Sequence, residues 1–131
     1  MRAWLLPLMV LALLETAHAQ RTPPASSAAQ FINIDDNALL TSRLIGLSIQ
    51  NANGENLGTV EDVALEGGQI VGVIISVGAI LGGSQHYVAV DPSSISINYI
   101  EGENKWKAAL NAQIEQLKAA PEFRYEGKWK R

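Results

Sequence analysis

The sequence predicts a mainly β fold, a small, strongly bent β-barrel with a short C-terminal helix, and three observations lead there. From Gly46 to Ile100 the chain is a series of short runs rich in Val, Ile and Leu, separated by turns that contain Asn and Gly. The apolar residues of one run change parity between Val60 and Val63, the mark of a bulge or sharp bend in a coiled strand. Helical spacing sets in only at Leu110, Ile114 and Leu117, and Pro121 stops it.

The chain opens with Arg2, an apolar stretch from Ala3 to Leu14 and the small-x-small motif Ala17-His18-Ala19, so residues 1–19 read as a secretory signal peptide cleaved before Gln20. An uncleaved anchor needs about 17 to 25 apolar residues, and this run is broken by Glu15 and followed by Arg21. The expected location is therefore the periplasm. There is no cysteine, which excludes disulfides, thiolate metal sites, thiol nucleophiles and a lipidated cysteine. Cleavage leaves 131 − 19 = 112 residues, enough for one domain. It removes Arg2 and Glu15 together, so the formal charge stays at −3, too weak to steer the chain toward nucleic acid or an anionic bilayer. Neither nucleic-acid binding nor stable membrane insertion is expected.

Residues 20–35 form a flexible leader, since Pro23, Pro24 and the Ser/Ala run bring too little apolar surface to offset ordering. Phe31, Ile32 and Ile34 are expected to pack, with Asp35-Asp36 capping a helical turn over Ala38 to Leu40. A strand Leu47 to Gln50 should lead through Asn53-Gly54, both at positive φ, into a bulged strand from Glu55 to Leu65. Gly67-Gly68 turns the chain into Ile70 to Val77, apolar on both faces. That run needs a second cover, either the C-terminal helix or another subunit. Two strands follow, Gln85 to Val90 and Ser94 to Ile100. Trp106 to Leu110 alternates like a strand and also begins a helical repeat, and Asn111 is taken as the N-cap of the helix beyond it. The domain spans residues 36–125, and residues 126–131 form a tail.

Taken in order, Leu44-Ile45-Gly46, Asn53-Gly54-Glu55, Leu57-Gly58-Thr59-Val60-Glu61-Asp62, Val73 to Gly78, Leu81-Gly82 and Tyr87-Val88-Ala89-Val90 resemble a PRC-barrel domain. The stretch from Asn111 to Leu117, followed by Ala119-Ala120-Pro121-Glu122-Phe123, is similar to the closing segment of bacterial stand-alone members. The resemblance implies a PRC-type bent barrel, related to the cytoplasmic domain of the photosynthetic reaction centre H subunit and to the C-terminal domain of the ribosome maturation factor. It also implies protein–protein contact and no catalytic residues. The export signal and the lack of a partner domain set this chain apart from those intracellular relatives.

No catalytic, cofactor or metal-ligating set stands out. His86 is the one histidine after the leader and lacks companions. Glu61 and Asp62 are neighbours that a regular strand would point to opposite faces. Asp35-Asp36 lack the spaced ligands of a calcium loop. In Gly78 to Ser84, Ser84 stands where a phosphate-binding loop needs lysine.

The interaction candidates are Ile80 and Leu81, flanked by glycines, and Tyr125 and Trp129 in a tail that interleaves Phe123 with Arg124, Lys128, Lys130 and Arg131. Ile80 and Leu81 either fold back over the barrel end or form a patch. The tail aromatics either pack on the barrel or meet an anionic surface. The expected function is a non-enzymatic periplasmic protein-interaction or scaffold module whose partner is another protein or a second copy. The alternative is an envelope-surface or small-ligand binder, with weak envelope contact through the tail.

Overall fold

The computed structural model describes residues 27–131; the expected signal peptide and the first part of the leader, residues 1–26, lie outside the described residues. The chain divides after Asn33, and the unit Ile34–Arg131 carries the regular structure. Its strands are β1 (Ser48–Gln50), β2 (Asn56–Glu66), β3 (Gln69–Ser76), β4 (Tyr87–Val90), β5 (Ile95–Ile100), β6 (Lys105–Leu110) and β7 (Glu122–Phe123). Two short helices accompany them, α1 (Thr41–Leu44) and α2 (Ile114–Ala119). The strands form one seven-stranded sheet in the order β5-β6-β1-β2-β3-β4-β7. Among the described strands only β1 and β6 pair in parallel. The edge strands β5 and β7 do not pair with each other, so the bent barrel stays open.

The bend has its cause in β2. Val60 faces Ile75 but Asp62 faces Ile74, which leaves Glu61 as the extra residue of a bulge between Val60 and Val63, where the parity change placed one. At the other end of the hairpin, Glu66 pairs with Gln69 across Gly67 (φ 57°) and Gly68 (φ 80°), a two-residue turn in which both central residues need the left-handed region. The first hairpin works differently from expectation. Gly54 takes a positive φ but Asn53 does not. Instead Asn51, buried in the loop, accepts the backbone N–H groups of Asn53 and Glu55, both at 3.0 Å, and donates to the Ala112 carbonyl at 3.4 Å. A side chain replaces the primed turn as the organiser of this connection.

Ile49, Leu57, Val60, Ile75, Val77 and Val88 are each less than 2% exposed and form the centre of the core. Burying each such side chain contributes roughly 1.5 to 3 kcal/mol. Leu44 of α1 and Leu117 of α2 join them. β3 is buried on both faces in its second half: Val73 and Ile75 belong to the core, while Ile74, on the opposite face, is only 3% exposed. Its first half departs from the expected core strand, because Ile70 and Val71 are 47% and 48% exposed. The β2–β3 hairpin outruns the core beneath it.

Other expectations also need correction. Phe31, Ile32 and Ile34 are exposed rather than packed. Asp35 closes an Asx turn, accepting the Asn37 backbone N–H at 2.8 Å, and the helical turn comes later, at Thr41–Leu44. The ambiguous segment 106–110 is strand. Helix α2 is capped not by Asn111 but at Gln113, whose backbone N–H donates to Gln116 Oε1 at 2.7 Å. Pro121 ends it as expected, with Ala120 extended at ψ 148°.

Gly58 provides a test of the sheet. Its φ is +144°, and a Cβ there would sit 2.1 Å from the Ser76 carbonyl oxygen. The variant Gly58→Ala should lose roughly 2 to 4 kcal/mol of stability in urea unfolding; an unchanged midpoint would contradict this close approach of β2 to β3.

Candidate interaction groove

The second cover over β3 within the chain is not the C-terminal helix, whose Leu117 joins the core on the other face, but the segment that follows it. Past Pro121 the chain pairs with β4, Tyr87 against Phe123 and Val88 against Glu122. This pairing sets Phe123 beside Tyr87 on the outer face. From there the aromatic rings continue edge to face: Tyr87 to Tyr125 at 5.2 Å and Phe123 to Tyr125 at 5.1 Å. Trp129 follows, 5.4 Å from Phe123. Ile74 lies beneath this row.

The row is clasped at its end by the bulge. Both Glu61 and Asp62 reach Arg131, at 2.7 Å and 3.6 Å, so the extra residue brings two adjacent carboxylates to one guanidinium. Arg131 also lies 3.8 Å over the Tyr125 ring, and the Tyr125 hydroxyl donates to Asp62 Oδ2 at 3.3 Å. These ion pairs are largely solvent-exposed and contribute about 0 to 1 kcal/mol. Each aromatic contact adds about 0.5 to 1.5 kcal/mol beyond its buried area. Packing therefore holds the segment, and the charges set where it ends.

Because the hairpin projects beyond the core, the segment does not cover it completely. A groove of about 530 Å³ remains between Leu65 and Val71 on one side and Phe123, Tyr125 and Trp129 on the other, with Ile74 in its lining. Leu65 is 69% exposed and Trp129 64%. Asp62, Glu66 and Arg131 supply its charged members. Glu66 enters no ion pair among the described residues, whereas Asp62 is held by Arg131.

Of the four interaction candidates, Tyr125 and Trp129 come together here. Ile80 and Leu81 do not: they sit in a 3-10 turn, Gly78–Leu81, half-buried against the core, which is the fold-back reading. Leu65 and Val71 were missed because their runs look like core strand. The available signal was length, since the eleven residues of β2 span about 36 Å at the usual rise, far more than an ordinary strand. His86 stands alone, with Nδ1 3.7 Å from Glu122 and a buried, unpartnered Nε2. Among the described residues no group of three His, Asp or Glu side chains is placed to hold a metal ion. No described helix is long and apolar enough to cross a membrane.

Residues 36–105, more than half of the chain, match the PRC-barrel domain. The chain belongs to the PRC-barrel family. No curated protein matches it. The match ends at Lys105, the first residue of β6, so the aromatic segment that covers Ile74 lies beyond the matched part of this PRC barrel. PRC barrels are small β modules often found in protein-interaction contexts.

Burial pushes the Tyr125 phenol up to about 12, reinforced by the negative charge of Asp62 and opposed by Arg131. The neutral phenol is therefore favoured by folding: its contribution is complete below the ordinary tyrosine value near 10 and is lost as pH rises toward 12. In an ultraviolet titration the Tyr125→Phe variant should lack the highest phenolate transition; its persistence would place the shifted group elsewhere.

Proposed function

We propose that this chain is an exported, non-enzymatic protein-interaction module, and that its PRC barrel offers the outer-face groove to an extended apolar segment of a protein partner. The observation that carries this is the groove with Leu65, Val71 and Trp129 exposed along it. Large apolar side chains gathered at one place on a small domain mark interaction sites, with tryptophan enriched among the strongest contacts. The uncompensated Glu66 at the rim favours a partner segment carrying a lysine or arginine beside its apolar residues.

The reading as an exported, periplasmic module is supported by Arg2, the apolar stretch Ala3 to Leu14 and the Ala17-His18-Ala19 motif. The non-enzymatic reading is supported by the isolation of His86, whose buried Nε2 meets no nucleophile and no second base. A second reading, weak contact with an anionic envelope surface, rests on Lys128 and Lys130. These enter no ion pair among the described residues, while Arg124 and Arg131 are paired internally.

Crosslinking in intact cells tests the first reading. The parent chain should capture a partner, and Val71→Asp and Trp129→Ala should both lose it, Val71→Asp, at an exposed position, with little change in melting temperature and Trp129→Ala with the drop of a few degrees that one lost aromatic contact brings. Capture undiminished by either variant would remove the groove from the proposal. Sedimentation with anionic vesicles that depends on Lys128 and Lys130 would favour the envelope reading instead.

A further inference from the structure

The two ends of the open sheet differ in a way the groove does not explain. β7 is two residues long and ends in the ion-paired Glu122–Arg124 region, a short and charged edge of the kind that resists further pairing. β5 is longer and carries no charge of its own, the nearest loop residues being Asp36 and Asn37, which line a cavity with Ile97, Asn98 and Tyr99. Its six residues, Ile95-Ser96-Ile97-Asn98-Tyr99-Ile100, contain no charge and no proline. They pair with β6 in unbroken register from Ile95–Leu110 to Ile100–Lys105, without a bulge. The Ile95 N–H donates to the Pro92 carbonyl in the turn before the strand, and from Ser96 to Tyr99 no described residue outside β6 forms a backbone hydrogen bond to it. A regular, uncharged, unpaired edge is a template for another strand.

We propose that this edge pairs with the β5 edge of a second copy, antiparallel about a twofold axis through Ile97. The pattern of the strand selects both partner and register. Residues directly opposite in an antiparallel pair share a face, so a register offset by one residue would set core-side residues against outward-facing ones. With Ile97 opposite its own copy, Ile95 meets Tyr99 and Ser96 meets Asn98. Apolar side chains then oppose apolar ones on the core side, and Ser96 opposes Asn98 on the solvent side, where Ile100 at the end of the strand falls opposite Ser94. No like charges meet within this register, and the isologous contact closes at two subunits. The two seven-stranded sheets become one continuous sheet. The groove lies on other elements, β2, β3, β7 and the segment after it, so this inference does not rest on the proposed function.

Ser96 and Asn98 are exposed and make no contact with the core, so changing them leaves the fold intact. In analytical ultracentrifugation over a concentration series the parent chain should pass from monomer to dimer. The double variant Ser96→Lys/Asn98→Lys sets like charges opposite each other in two equivalent pairs and should weaken the dimer by roughly tenfold or more. Its circular dichroism spectrum and the melting temperature of the dilute protein should not change. Mixing it with Ser96→Glu/Asn98→Glu should restore a mixed dimer. Trp129→Ala, in the groove, should dimerise like the parent. A parent chain that stays monomeric throughout, a lysine variant that dimerises unchanged, or loss of the dimer in Trp129→Ala would each overturn the proposal.

Discussion

A strand that is apolar on both faces must be covered on both, and β3 is that strand here. Val73, Ile75 and Val77 meet the core on one side. Ile74, equally buried, faces the other way and would be left to water by a one-layer sheet. The C-terminal segment resolves this by folding Phe123, Tyr125 and Trp129 back over the outer face, after Pro121 has ended α2 and β7 has anchored the chain to β4. Much of the rest follows: the position of the tail, the groove beside it and the use of the bulge.

The bulge at Glu61 does two things with one extra residue. It bends β2 so that the hairpin can curve around the core, and it turns two sequential carboxylates toward one guanidinium. The energy of that clasp is small because its members are solvated. Its value is positional: it fixes where the aromatic row stops and leaves the hairpin tip bare. The glycine-flanked pair Ile80 and Leu81 meets the opposite outcome. The 3-10 turn from Gly78 to Leu81 brings both side chains back to the core, where they add to stability rather than to the outer surface.

The apolar groove and the regular β5 edge lie on different elements of the same open sheet. Closing a barrel would remove its edges, whereas this sheet stays open and blunts one of its two ends with a short, charged strand. The groove lies on the outer face of this bent sheet and the β5 edge at its margin.

Features governed by local backbone geometry were readable from the residues alone. The parity change between Val60 and Val63, the Gly67-Gly68 turn and the stop at Pro121 each depend on the φ, ψ and side-chain period of a few neighbouring positions, and each stands where the sequence put it. The cap at Gln113 and the Asn51-centred loop were misplaced, because which of several polar side chains closes a turn depends on small differences in hydrogen-bond geometry. The aromatic character of Tyr125 and Trp129 was plain, but not their destination. The contacts that position the tail join Asp62 to Tyr125 and Glu61 to Arg131, 63 and 70 residues apart. Composition and period determined that this chain would make a bent sheet with one strand apolar on both faces. Only the folded structure decided that its own C-terminus would be the cover, since contacts so distant in sequence form where packing brings them and leave no pattern in the intervening residues.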